Sequence, residues 1–221
     1  MFRRRREPDP EAPDEPEEPE EPDASGQEES VDEAPGWDAI EERLRTVYPD
    51  VEPLHMAGKK PVAFGGALDG ISAYDAGDHW HLVTFGLTDL YAKSDDHPDD
   101  SGWRYELTFR VGPRSVDPPP WAFNLLYQVA ALTQDRKEYF APGHRLESRG
   151  PIDGESSPFT CLAFTKDPDL GSMEGPFGFV GFLQIVGISF QELEEMKASS
   201  THAVLERFGA TNPKLVTWPT R

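Results

Sequence analysis

The chain has 221 residues and a formal net charge of −20, with 41 acids against 21 bases and a single cysteine. That length holds one domain of ordinary size or two small ones, and one cysteine excludes both an intramolecular disulfide and a cysteine-based zinc site. An acidic body meets phosphates with like charge, so nucleic acid is a poor partner and a basic protein a favourable one.

Residues 1–35 hold 14 of the acids and only 4 bases, and PDEPEEPEEP (13–22) repeats proline and paired acids with a period of three. Prolines forbid a helix and like charges extend the chain, so this stretch is expected to be a disordered, solvated arm. Arg3 to Arg6 are expected to fold back onto its acids. No apolar stretch follows them, as a signal peptide would require. The most apolar run, FGFVGFLQIVGI (177–188), is too short to span a bilayer. The expectation is a cytoplasmic protein without membrane contact.

The domain proper is expected over 36–221. Trp37, Ile40, Leu44 and Val47 recur at helical spacing until Pro49, which predicts a first helix with one buried stripe. The glycine-rich sequence beyond it predicts short strands near 61–64 and 70–74. HLVTFGL then alternates, with His81, Val83, Phe85 and Leu87 on one face. WRYELTFRV alternates as well, setting Tyr105, Leu107, Phe109 and Val111 against Arg104, Glu106, Thr108 and Arg110. The polar loop AKSDDHPDDSG (92–102) between them makes an antiparallel hairpin.

Three prolines before Trp121 fix the start of the main amphipathic helix, whose apolar positions are Trp121, Leu125, Val129 and Leu132. FTCLAF (159–164) and FGFVGFLQIVGIS (177–189) read as strands, the second apolar on both faces as a central strand should be. Ser189 with Glu192 predicts a capping box opening a helix. THAVLERF predicts another helix and KLVTW a closing strand. The order implies a mixed α/β (α+β) fold, a largely antiparallel or mixed central sheet with flanking helices.

His79 and His81 are the first candidates for chemistry, since residues two apart on a strand share a face and their imidazoles could meet one metal ion. A third ligand would have to come from His144, Asp78, Asp89 or Glu106, none at a telling spacing. The other reading is structural, with the histidines bonded into the sheet or to Glu106. Cys161 sits among apolar strand residues, where burial disfavours the thiolate. Gly-x-Ser-x-Gly, Gly-x-Gly-x-x-Gly and P-loop patterns are absent. Trp80, Trp103 and Trp121 suit a core or a protein interface better than base stacking, and Trp80, Phe85, Phe109, Leu183 and Ile185 are assigned to the core. Residue chemistry favours a binder over an enzyme, with no cofactor and no metal.

The blocks HWHLVTFGLTDLY, SGWRYELTFRV, PPPWAFNLLYQVA, PGHRL, DPDL and PFGFVGFLQIVGISFQEL, in that order over roughly 40–195, resemble the Suppressor of fused domain. The resemblance implies a fold like the N-terminal domain of that family and a non-enzymatic role. The animal member sequesters Gli-type zinc-finger transcription factors, gripping a peptide as an added strand between two domains. This chain ends soon after the first of those domains, so that channel is not expected here. Short relatives in bacteria are proposed to act as immunity proteins that neutralise toxins. The resemblance therefore implies a protein-binding module, an immunity or inhibitor protein for a toxin or other protein, and the acidic body suits a basic partner. Asp89, Tyr91 and Tyr74 are the candidate contact residues. Two alternatives stand beside it, a metal-dependent enzyme using His79 and His81 and a half-domain completed by a separate chain, with a sticky sheet edge.

Overall fold

Alternation in two stretches dictates the centre of the fold, because each places one apolar face and must bury it. The computed structural model describes residues 33–94 and 99–219. In chain order these form α1 (Pro35–Arg45), β1 (Leu54–Ala57), a 3-10 turn (Val62–Phe64), β2 (Gly70–Asp75), β3 (Trp80–Phe85), β4 (Asp100–Val111) and α2 (Pro120–Arg136). There follow β5 (Arg145–Glu147), β6 (Cys161–Lys166), β7 (Ser172–Gly175), β8 (Gly178–Ile188), α3 (Phe190–Ala198) and α4 (Thr201–Gly209). The arm expected over 1–35 lies, up to residue 32, outside the described residues.

The strands make one mixed sheet in the order β1-β2-β3-β4-β8-β6-β5, with β7 continuing along β8. The predicted hairpin is β3 and β4, antiparallel with Trp80 opposite Val111 and Leu82 opposite Phe109. Among the named strands of the described residues only β4 and β8 run parallel, with Leu107 opposite Leu183. This makes β8 the central strand, paired to β4 on one side and to β6 and β7 on the other.

Both faces are covered. On one, α2 lays Phe123, Leu126 and Val129 over Leu82, Leu107, Phe109, Phe164, Leu183 and Ile185. On the other, Ile40 and Leu44 of α1 meet Tyr74, Val83, Phe85 and Phe182. Beside them Leu193, Met196, Val204 and Leu205 of α3 and α4 cover Cys161, Ala163, Val186 and Ile188. Each large side chain so buried contributes about 1.5–3 kcal/mol. The capping box forms as expected, Glu192 N–H donating to Ser189 Oγ and Ser189 N–H to Glu192 Oε2.

Three expectations are corrected. Residues 62–64 form a 3-10 turn rather than a strand, and the edge strand lies earlier, at β1. KLVTW reaches the sheet only through one parallel bridge, Val111 with Thr217, because Leu215 is left-handed (φ 52°) and cannot continue a strand, and the carbonyls of Lys214 and Leu215 accept from the Gln184 side-chain amide. Leu87 belongs to the α2 side, not to the face of Val83 and Phe85, since Gly86 (φ 117°) breaks the alternation. β5 and β7 complete the sheet although the sequence pattern shows neither.

Candidate functional site

The segment after β3 is organised by one carboxylate. Gly86 takes a φ that only glycine adopts readily, and the chain then curls so that the N–H groups of Gly86, Leu87 and Thr88 all point at Glu106 Oε1, at 3.0, 3.1 and 2.9 Å. Thr88 Oγ1 donates to the same oxygen at 2.7 Å, and Thr84 Oγ1 donates to Oε2 at 2.6 Å. Burial pushes the Glu106 carboxyl up to about 7 even though these donors favour its charged form. Glu106 therefore serves the 84–88 turn, which corrects the expectation that it pairs with the histidines.

Beyond that turn the chain is tied to α1 and to the start of β4. Asp89 is 8% exposed, with its Oδ2 accepting from Gly102 N–H at 3.0 Å and its own N–H donating to Ser101 Oγ at 2.9 Å. Leu90 C=O accepts from Gly36 N–H at 2.9 Å, at the start of α1. Tyr91 follows with half of its surface in solvent.

A second polar assembly lies between the two apolar clusters on the α1 side of the sheet. Arg110, fully buried, donates from Nη1 to Asp167 Oδ2 at 2.5 Å and to Gln184 Oε1 at 2.7 Å, and from Nη2 to Asp169 Oδ2 at 2.9 Å. Asp167 Oδ2 also accepts from Thr108 Oγ1 at 2.8 Å, while its Oδ1 accepts from the N–H groups of Asp169 and Leu170, which turns the chain out of β6. His81 adds its ring to this group. Its Nδ1 lies 2.8 Å from the Tyr48 hydroxyl and its Nε2 lies 3.2 Å from Asp167 Oδ2.

Burial, and then the nearby Arg110 guanidinium, lower the His81 pKa to about 4, against the pull of Asp167. The ring is therefore neutral near pH 7. The tautomer that fits carries its proton on Nε2, facing Asp167, and accepts from Tyr48 at Nδ1. Burial alone would raise the Asp167 carboxyl, but His81 and Arg110 together hold it well below the usual carboxylate range. The charges of Arg110 and Asp167 match, which is the condition for burying an ion pair without an uncompensated charge.

The two histidines do not share a ligand. His79 precedes β3 and sets its Nδ1 2.5 Å from Asp78 Oδ1, while His81 turns to Tyr48 and Asp167. Among the described residues no group of three or more His, Cys, Asp or Glu side chains is placed to hold a metal ion. Of the three candidate contact residues, Asp89 and Tyr91 stay together near the start of α1. Tyr74 lies apart, buried beside the end of that helix, where its ring stacks on Tyr48 at 5.0 Å. Burial pushes both phenols up to about 12.

Sequence reasoning missed the Arg110–Asp167 pair. A signal was present, because β8 is apolar on both faces and a neighbour such as β4 is then covered on both faces too. The polar side of β4 had to be buried, with partners for Glu106, Thr108 and Arg110.

Comparison with known proteins places this arrangement. The family model described as Suppressor of fused protein (SUFU) matches residues 66–221. The Suppressor of fused homologues of Homo sapiens and Mus musculus are each 31% identical over 189 residues, 77% of this chain and 39% of theirs. The chain thus spans about two fifths of the length of those curated relatives. One similar solved structure, a chain of the Sufu–Fu complex, has 29% identity and a TM-score of 0.77, over 85% of this chain and 91% of that one. Drosophila Suppressor of Fused has 30% identity and a TM-score of 0.76, over 85% and 50%. A SUFU homologue from Neisseria gonorrhoeae shares the fold at 13% identity and a TM-score of 0.54, over 81% and 91%.

Proposed function

This chain belongs to the Suppressor of fused family, and from that premise we propose that it is a non-catalytic protein-binding module, a bacterial immunity or inhibitor protein that holds a basic, toxin-like partner. The observation that carries this reading is the family match itself, whose solved relatives include a Sufu–Fu complex. The net charge of −20 supports the sign of the partner, since opposite charge speeds encounter and disfavours acidic competitors. No described helix is long and apolar enough to cross a membrane.

In this reading the 89–91 segment meets the partner. Tyr91 supplies the contact, because a half-exposed aromatic offers area at small entropic cost. Asp89 holds the segment in place through Gly102 and Ser101. The full chain, tagged and expressed in its native host, should capture one cognate partner whose toxicity is relieved when the two are co-expressed. Tyr91→Ala should weaken that complex about tenfold or more, beyond whatever change its melting curve shows. Asp89→Ala should weaken it and also cost about 1–3 kcal/mol of stability, because the part-buried Gly102 N–H loses its acceptor. A captured partner that binds both variants like wild type would move the contact elsewhere. Absence of any partner, with no protection on co-expression of neighbouring genes, would remove the reading.

A further inference from the structure

We propose that the cleft at the C-terminal end of α1 is a binding site for an arginine side chain of a protein partner. The protein-binding reading above is needed only for the source of that arginine. The cleft has a volume of about 390 Å³ and is lined by Glu41, Arg45, Tyr48, Asp50, Glu52 and Tyr74, among others. Of these only Tyr74 falls within the segment 66–221 matched to the family, so the family match does not assign this cleft.

Three features select a planar cation. The first is the aromatic wall. Tyr48 and Tyr74 are stacked at 17°, and the Tyr48 hydroxyl is committed inward to His81 Nδ1. A phenol fixed in that way offers the cleft its ring rather than its oxygen, and a guanidinium lies well on such a ring.

The second feature is uncompensated negative charge. Arg45 is the one base among the lining residues, and its guanidinium is already held by Glu41 at 2.8 Å and Glu42 at 3.2 Å. Asp50 and Glu52 are exposed and have neither an ion-pair nor a hydrogen-bond partner among the described residues. A guanidinium entering here can bond a carboxylate through two N–H groups at once, which an ammonium cannot do. The third is the helix itself. α1 is 11 residues long and ends at the cleft, so the partial negative charge of its terminal carbonyls adds to the same field.

The decisive experiment titrates the isotope-labelled full chain with N-acetyl-arginine-N-methylamide and with its lysine counterpart, following amide chemical shifts. Perturbations should gather on Tyr48, Val51, Glu52 and Tyr74, with the arginine probe at least about threefold tighter than lysine. In the double variant Asp50→Asn/Glu52→Gln they should need about fivefold more probe, at an unchanged melting temperature, because both side chains are exposed. Shifts scattered over the acidic surface, an equal response to lysine, or a double variant indistinguishable from wild type would each overturn the proposal. If a captured partner binds the double variant as tightly as wild type, the cleft loses its role and the protein-binding reading survives. If the arginine probe behaves as expected and no partner is ever captured, the reading fails and the cleft stands.

Discussion

Arg110, the largest of the fully buried side chains, stands on a sheet face opposite His81 and beside Thr108 and Gln184, and a charge so buried is tolerable only with its partner in reach. Asp167 provides that partner, and the choice of His81 as the third member has a consequence for acid stability. The ordinary histidine pKa is 6.5, and burial lowers that of His81 to about 4. Between those values the unfolded chain holds a proton that the folded chain rejects, so stability grows as the pH rises from 4 to 6.5. Glu106 does the reverse. Its ordinary pKa of 4.5 is raised by burial to about 7, so the stability it adds is full below 4.5 and is lost as the pH climbs through 7. The two oppose each other between 4.5 and 6.5, and the wild-type protein should vary little there. Glu106→Gln keeps an amide oxygen for the three N–H groups of the 86–88 turn and can donate its amide to Thr84, while deleting the second titration. Its unfolding free energy should climb by about 3 kcal/mol from pH 4 to 6.5. Urea melts at four pH values would show it, and a variant profile that copies wild type would disprove the assignment.

At the scale of elements, α1 is placed by a close approach rather than by its apolar stripe alone. A Cβ at Gly36 would lie 2.1 Å from Asp89 C=O, and the same glycine donates its N–H to Leu90 C=O. Gly36→Ala must push the start of α1 away from the 89–90 segment, at a cost of about 1–3 kcal/mol, an overpacking penalty. Chemical denaturation measures that cost, and a neutral substitution would mean that the helix start shifts freely. The stripe itself was plain in the sequence, with Ile40 and Leu44 buried as the spacing requires. So were the β3–β4 hairpin and the central place of β8, because long runs reveal their period. β1, β5 and β7 have three or four residues each, too few for alternation to stand out, and β1 is exposed along its whole length. The candidate contact residues were named from the sequence, Asp89 and Tyr91 from the HWHLVTFGLTDLY block and Tyr74 from the strand before it, but that Tyr74 sits at the opposite end of α1 depends on register between strands. The polar face of β4 looked like a solvent face because alternation reports chemistry and not what lies across the gap.

For the whole molecule, two helical layers on one continuous sheet bury Asp89, Glu106, Arg110 and Asp167 and leave most of the other described acids and bases on the outside. Residues 36–221 hold 27 acids against 17 bases, so that outside is net negative, and its field reaches about 10 Å at moderate salt. Such a field acts on encounter more than on the finished complex, since rim charges steer the approach while the anchored contacts set the lifetime. The proposed basic partner should therefore associate about tenfold more slowly when ionic strength rises from about 0.05 M to 0.5 M, with a dissociation rate that changes far less. Surface-captured kinetics at four salt concentrations separate the two rates. If the association rate is flat, the acidic surface has no part in recognition and the partner need not be basic. If instead dissociation carries the salt dependence, ion pairs are buried at the interface itself, and the arginine cleft becomes the first place to look for them.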